Sequence, residues 1–227
     1  PGLDALTEYQ DGMIEHDMIV GKVIKALDDM GIANDTIVIY TTDNGPHANT
    51  WPDGATTPFR SEKNTNWEGA FRVPMLVRWP GKIKVGSISN EIVQLHDWFP
   101  TFLAMAGEPD IVEKAKKGYQ AIGRTYKNHI DGYNLLPYLT GEEKESPRHG
   151  FFYFSDDGDV LGLRFDNWKV VFMEQRAQGT LQVWAEPFTR LRVPKIYNLR
   201  MDPYERADTT SNSCYDWFLH NAYLCLA

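Results

Sequence analysis

Thr36-Ile37-Val38-Ile39-Tyr40-Thr41-Thr42 is a run of β-branched and aromatic residues, nearly continuous in its apolarity, that passes directly into Asp43-Asn44-Gly45-Pro46-His47. Such side chains suit a pleated backbone, and the lack of apolar/polar alternation predicts a strand covered on both faces, as in a parallel sheet. Upstream, Leu6, Tyr9, Met13, Val20, Ile24 and Leu27 recur at three- and four-residue intervals, which predicts one long amphipathic helix between Leu3 and Met30. Gly31 ends that helix, and Asn34-Asp35 turns the chain into the strand. Helix followed by buried strand is the rhythm of an α/β fold.

Downstream of the strand, Asp43 to Phe71 has no clean period and is rich in Gly, Pro, Asn and Thr. Irregular stretches of that length within a compact domain are usually functional or disordered, and Trp51, Phe59 and Trp67 argue for order. Val73 to Trp79 reads as a second strand closed by Pro80-Gly81, and Ile92 to Ala106 as a helix that Asp97 is placed to cap, with Trp98-Phe99-Pro100 in its first turn. Glu108 to Pro147 reads as a polar surface connection with one short helix near Leu135 to Leu139. From residue 150 the pattern shortens to strands at Phe151 to Phe154, Val160 to Phe165, Trp168 to Met173, Leu181 to Trp184 and Ile196 to Leu199, with hairpin turns at Asp156 to Asp159 and at Asp166-Asn167. Tyr215 to Leu226 reads as a terminal helix. The organisation expected is an α/β core over 1–108, a connecting segment over 109–149, and a small antiparallel subdomain with a helix over 150–227.

Composition narrows the class of function. The 227 residues are 42% hydrophobic and 24% charged, which is ordinary for a packed globular chain and excludes disordered, collagenous and coiled-coil classes. Acidic residues outnumber basic ones 31 to 23, for a net charge of −8, and no window gathers Lys and Arg as a phosphate-tracking surface would, so nucleic acid is not an expected partner. No run of about 18 apolar residues occurs, so no membrane span is expected. Only Cys214 and Cys225 are present, a spacing that suits neither a disulfide framework nor a zinc knuckle, and two free thiols are expected. The chain begins at Pro1 without an initiator Met or a leader, from which a processed or partial chain is expected. Asn34-Asp35-Thr36 matches a glycosylation acceptor but sits in a helix-to-strand turn and carries little weight.

The chemistry gathers in the long loop. Asp43 and Asn44 stand at the C-terminal end of the first strand, where open α/β sheets place their ligands, and a carboxylate beside an amide oxygen is a pair of hard donors suited to Ca²⁺ or Mg²⁺. On its own Asp-Asn-Gly makes a turn as readily as a site. His47, Arg60 and Lys63 follow in the same loop and could surround an anion held against the metal, a combination that suits sulfate or phosphate. Lys63 would act as a point charge toward a terminal or leaving oxygen, although a single Lys is more often simply solvated. His47 could touch substrate, donate a proton, or make only a structural hydrogen bond.

The motifs Thr41-Thr42-Asp43-Asn44-Gly45-Pro46-His47, Pro58-Phe59-Arg60-Ser61-Glu62-Lys63 and Asn66-Trp67-Glu68-Gly69-Ala70-Phe71-Arg72-Val73-Pro74 closely resemble the type I sulfatases, in particular the bacterial arylsulfatase-like ones. Further matches are Arg78-Trp79-Pro80-Gly81-Lys82-Ile83, Asp97-Trp98-Phe99-Pro100-Thr101, Asp131-Gly132-Tyr133-Asn134-Leu135-Leu136-Pro137 and Tyr197-Asn198-Leu199-Arg200-Met201-Asp202-Pro203, so the resemblance runs from about residue 20 to 206. It implies part of an alkaline-phosphatase-like sheet sandwiched by helices, with Asp43 and Asn44 as ligands of an active-site Ca²⁺ (Mg²⁺ also fits) and Lys63 on the substrate sulfate. Arg60 and His47 have less firm counterparts and are expected as substrate or neighbouring contacts, His47 with a share in proton transfer.

One departure matters. The family makes its nucleophile by converting a Cys, or in some members a Ser, into formylglycine within a Cys/Ser-x-Pro/Ala-x-Arg motif, and neither Cys214 nor Cys225 nor any Ser here fits it. The paired Asp ligands of the family's N-terminal region are absent too. The resemblance therefore implies a sulfuric ester hydrolase whose later part this chain supplies, with formylglycine in an N-terminal portion that this chain lacks and no turnover by the chain alone. The implied substrates are small sulfate esters or sulfated glycans, and family members are often exported. Two rivals remain: a phosphodiesterase, phosphatase or phosphonate hydrolase of the same superfamily, and a non-catalytic relative that binds a sulfated ligand.

Overall fold

The structure, a computed structural model, describes residues 6–48, 53–54, 56–177, 179–210 and 213–223. Trp51, Cys225, the start of the first expected helix and the end of the terminal one lie outside the described residues. The first half of the chain forms α1 (Glu8–Asp29), β1 (Val38–Thr41), α2 (Glu68–Phe71), β2 (Met75–Arg78), α3 (Trp98–Met105), α4 (Ile111–Lys117), β3 (Tyr119–Ala121), β4 (Arg124–Tyr126) and α5 (Leu136–Thr140). The second half forms β5 (Gly150–Phe154), β6 (Val160–Phe165), β7 (Trp168–Glu174), α6 (Gln182–Ala185), β8 (Thr189–Asn198), α7 (Ala207–Thr210) and α8 (Ser213–His220). Helices together with sheets, one of them four-stranded and antiparallel, agree with the α/β class. Contacts divide the chain into two compact units, one of Pro1–Ile32, Ile39–Leu76 and Gly150–Ala227, the other of Ala33–Val38 and Val77–His149.

In the first unit α1 begins where Thr7, in extended conformation, accepts a hydrogen bond from Gln10 N, with Glu8 and Asp11 favourably placed in the first turn. It ends at Gly31, whose φ of +70° lets Ile32 N reach back to Leu27 O. The expected apolar stripe is only half covered: Tyr9, Val20, Ile24 and Leu27 are half-buried, while Met13, Ile14, Met18, Ile19 and Val23 are exposed. β1 pairs with β2 in a two-stranded sheet and is half-buried along its length, not covered on both faces as its composition predicts, because β2 is its one strand neighbour among the described residues.

The rest of this unit is a four-stranded antiparallel sheet in the order β5-β6-β7-β8. Its two first turns fall where the sequence places them, with Gly158 and Asp166 in left-handed conformation. Residues directly opposite share a face, so the row Tyr153–Gly162–Val171–Lys195 lies on the side that packs inward. There Trp67, Val171, Tyr197 and Leu199 form the core cluster. Two local readings are corrected. Leu181 to Trp184 contains a helical turn, α6, because Val183 is drawn inward while its neighbours are held by turns at Thr180 and Leu181. The last strand extends over ten residues, Thr189 to Asn198, since β7 offers a partner along nearly its whole length.

The second unit centres on Asp97, which does not cap α3 as its position predicts. Its buried carboxylate accepts from Gln94 N (2.8 Å), Tyr133 N (2.8 Å) and the Arg148 guanidinium, whose Nη2 lies 2.6 Å away. Thr101 continues the tie, donating to Asp97 O and accepting from Leu135 N. The motifs around Asp97 and Gly132 are therefore one structural joint. Burial, with Arg148 beside it, pushes the His96 imidazole below its ordinary pKa, consistent with its ring nitrogen facing Arg148 Nη2 at 2.8 Å. The polar connection expected between 108 and 147 holds more structure than one helix: α4 and the β3–β4 hairpin precede α5.

Candidate functional site

β1 carries the chain to Asp43, which is exposed and accepts a hydrogen bond from Thr42 Oγ1 at 3.3 Å, and to the half-buried Asn44. The Asn44 amide nitrogen donates to Gly45 O at 2.9 Å, so its oxygen is the side-chain atom left for a cation. The next residues lie alongside the segment 60–70. Gly45 N donates to Ala70 O (2.8 Å), Lys63 N to Pro46 O (2.9 Å), Ala48 N to Glu62 Oε2 (2.6 Å) and Gly69 N to Arg60 O (2.7 Å). Two glycines permit this approach: a methyl on Gly45 would overlap the Gly69 carbonyl, and one on Gly69 would overlap the carbonyls of Arg60 and Ser61. Ser61 and Asn64 adopt φ of 64° and 68°, turning the chain sharply on both sides of Lys63. Asp43, Asn44, the half-buried His47 and the half-buried Lys63 thus belong to one pair of neighbouring strands of loop.

Arg60 is placed otherwise. Its guanidinium donates to Asp208 Oδ1 (3.0 Å), Glu205 O (2.9 Å) and Tyr197 Oη (3.3 Å), and it stacks over Trp67 with Cζ 3.5 Å from the ring centroid. Those contacts make it a tie between the loop and the C-terminal sheet.

Directly beneath the loop lies a set of buried charges that the sequence reading did not single out. Lys169 Nζ is fully buried, 2.6 Å from Glu205 Oε1, 3.3 Å from Glu68 Oε1 and 2.7 Å from Asn66 O. Glu205 Oε2 accepts from Glu68 N (2.7 Å), and Glu68 takes further donors from Tyr153 Oη (2.8 Å) and Arg72 Nε (2.9 Å). Burial by itself would lift the Glu68 carboxyl; Lys169, Arg72, Tyr153 and Arg164 outweigh it and bring its pKa down to about 2. Burial dominates at Glu205 and raises its pKa, Glu68 adding to the effect against Lys169. A periodicity signal for Lys169 does exist: it alternates in step with Val171 on β7, and that row faces inward.

The depressed Glu68 value fixes the sign of a pH effect. A carboxyl with a folded pKa near 2 against an ordinary 4.5 stabilises the fold above pH 4.5, and that contribution is lost as pH falls toward 2. Glu205, being raised, acts in the opposite direction. Glu68→Gln removes the first effect and, with it, part of the lift on Glu205: between pH 5 and 2 the unfolding free energy of the wild type should fall more than that of the variant, by up to about 3 kcal/mol. Urea titrations across that range provide the measurement, and parallel pH profiles would contradict the assignment.

As a cation site, Asp43 and Asn44 offer the right atoms in too small a number. A hard divalent ion takes six to eight oxygens, roughly, for Ca²⁺, and among the described residues no three of His, Cys, Asp and Glu come together to hold an ion by themselves. The two donors fit part of such a shell.

Comparison with known proteins identifies the family. Residues 3–108 match the family model described as sulfatase, and residues 60–172 the model described as the C-terminal region of N-sulphoglucosamine sulphohydrolase. The chain is 31% identical over 223 residues to steryl-sulfatase of Mus musculus, covering 89% of this chain and 33% of that protein. It is 34% identical over 217 residues to N-acetylgalactosamine-6-sulfatase of Homo sapiens, covering 87% and 38%. Among solved structures, the PsFucS1 sulfatase from Pseudoalteromonas sp. superposes with a TM-score of 0.77 at 29% identity, over 93% of this chain and 40% of that one. The chain thus spans between a third and two fifths of the length of these relatives. No helix among the described residues is long and apolar enough to cross a membrane.

Proposed function

The chain belongs to the sulfatase family, and from that premise we propose that it supplies one side of an active site for the hydrolysis of sulfuric esters. The observation that carries the proposal is the hydrogen bond from Lys63 N to Pro46 O, which sets the Lys63 stem beside the loop that bears Asp43 and Asn44. Asp43 and Asn44 would contribute two oxygens to a hard divalent cation, Ca²⁺ or Mg²⁺, which when bound would supply positive charge against the sulfate oxygens. Lys63, half-buried, would turn its ammonium toward the same anion, where a cation in a partly buried setting needs little reorganisation. His47, in the same loop, is the residue positioned to hydrogen-bond the ester or pass a proton to the departing oxygen. Arg60 serves this site by anchoring Trp67 and the loop to Asp208, rather than by meeting the substrate.

These groups bind and polarise; none of them is the attacking nucleophile. We place that group outside these 227 residues, since no Cys/Ser-x-Pro/Ala-x-Arg motif occurs among them. The chain alone would leave the cation with two protein ligands and the ester without an attacker. In the full-length protein, Lys63→Ala should lower kcat/KM for an aryl sulfate by about a hundredfold, as for loss of one preorganised donor. Assay of the same variant on the matching aryl phosphate separates a sulfatase from a phosphatase of related fold. Undiminished turnover of the sulfate ester would refute the role given to Lys63.

A further inference from the structure

The chain leaves β7 at Glu174 and does something costly before it reaches β8. Gly179 and Thr180 both take left-handed backbone conformations, with φ of 101° and 58°. For a β-branched threonine that is an outlier, and such strain persists only where the surroundings dictate it, often beside a functional site. The bend produces the single turn α6, with Thr180 Oγ1 accepting from Gln182 N and Thr180 O from Val183 N.

The surroundings that dictate it are polar and buried. Gln175 is the pin: its backbone N donates to Asn66 Oδ1 (3.2 Å), its carbonyl accepts from Trp67 Nε1 (3.3 Å), and its side-chain amide donates to Val183 O (3.3 Å) and Glu186 O (2.7 Å). One buried glutamine therefore fastens α6 to Asn66 and Trp67, a few residues beyond Lys63. On the other flank, Gly179 lies against Glu62, close enough that a Cβ there would sit 3.3 Å from Glu62 Oε1, and Glu62 is the residue that bonds Ala48 N. The turn is thus tied through Gln175 to Asn66 and Trp67, and Gly179 passes close to Glu62 at its other end.

A turn held so firmly would be expected to bury its large apolar residues, yet only Val183 goes in. Leu181 and Trp184, three apart and so on the same side of the turn, are 68% and 65% exposed. An exposed indole on a turn pinned to the loop that carries Lys63 suits a binding wall: the ring loses little conformational freedom when a ligand covers it. We infer that the Leu181–Trp184 face of α6 receives the part of the substrate that carries the sulfate, a leaving group with a flat ring of apolar face, and thereby sets substrate preference. This rests on the reading of Lys63 and Asp43 as an anion site. Leu181 and Trp184 act on specificity and take no part in bond breaking.

Calorimetric binding to the full-length protein tests it with three probes: inorganic sulfate, 2-naphthyl sulfate and glucose 6-sulfate. Trp184→Ala should weaken a ring-bearing sulfate by about tenfold, the order expected for losing one aromatic contact, and leave inorganic sulfate unchanged. Trp184→Phe should recover most of that loss, and Leu181→Ala should reproduce a smaller part of it. Loss confined to the naphthyl ester assigns the wall to aryl or steroid alcohols; loss with glucose 6-sulfate as well assigns it to pyranosides. Equal affinity of wild type and Trp184→Ala for both ring-bearing probes overturns the inference, as does failure of the wild type to bind either more tightly than sulfate. The anion site fails separately, if Lys63→Ala leaves inorganic sulfate affinity unaltered.

Discussion

Replacing Lys169 with methionine is expected to destabilise the fold by about 3 to 5 kcal/mol, the usual cost of removing one member of a buried charge cluster. Methionine keeps the length of the side chain and its contact with Trp67 and Tyr153, so the loss is electrical rather than a cavity. It leaves Glu68, 3% exposed, and Glu205, fully buried, facing each other without the cation between them. Against a total stability of roughly 5 to 15 kcal/mol for a typical domain, such a loss is large. Chemical denaturation measures it, and the double variant Lys169→Met/Glu205→Gln should regain a substantial share, since it removes one of the two stranded charges. A loss below about 1 kcal/mol would mean that water reaches the cluster and screens it.

Gly45→Ala should destabilise less but cost more activity, for a steric reason. The added methyl has to displace the Gly69 carbonyl, with the carbonyl carbon 2.8 Å and Ala70 Cα 3.1 Å away, and every one of these atoms is backbone. Something must move, and the bonds at risk are Gly45 N to Ala70 O and Lys63 N to Pro46 O. Overpacking of this kind costs about 1 to 3 kcal/mol and sometimes more. Because the displaced segment bears Asn44 and faces Lys63, turnover of a sulfate ester by the full-length protein should fall about a hundredfold, as for an ångström-scale misplacement. A variant with wild-type melting temperature and wild-type kcat/KM would show that the two loops are not held in register by this contact.

Much of the framework is legible in the residues because its causes are local. Helix α1 is announced by its period and by Gly31; β6 begins and ends where the alternation does; the turns at Gly158 and Asp166 need left-handed backbone and carry residues that tolerate it. The α6 turn is not legible, since Leu-Gln-Val-Trp suits a strand and only the distant grip of Asn66 and Trp67 on Gln175 decides otherwise. Asp97 shows the same limit: a capping position by local rules, it is taken over by Arg148, 51 residues later. At the candidate site, Asp43 and Asn44 stand out by residue type and by their place after a strand. Lys63 stands out only through family resemblance, because a single Lys in a loop carries no signal of its own. Arg60 looked like an anion contact for the same reason that it is a good tie, a guanidinium in an ordered loop, and its partners lie some 137 to 148 residues downstream.

The separation between Arg60 and Asp208 bears on how such a protein is made. A nascent chain that has reached residue 149 already contains every residue assigned here to the cation and the anion, yet not one strand of the sheet beneath them. Lys169, Glu205 and Asp208 follow later in the chain, so the loop waits, unsupported, until they too have been made. A frameshift beyond residue 149 would then unfasten the loop without altering any residue in it.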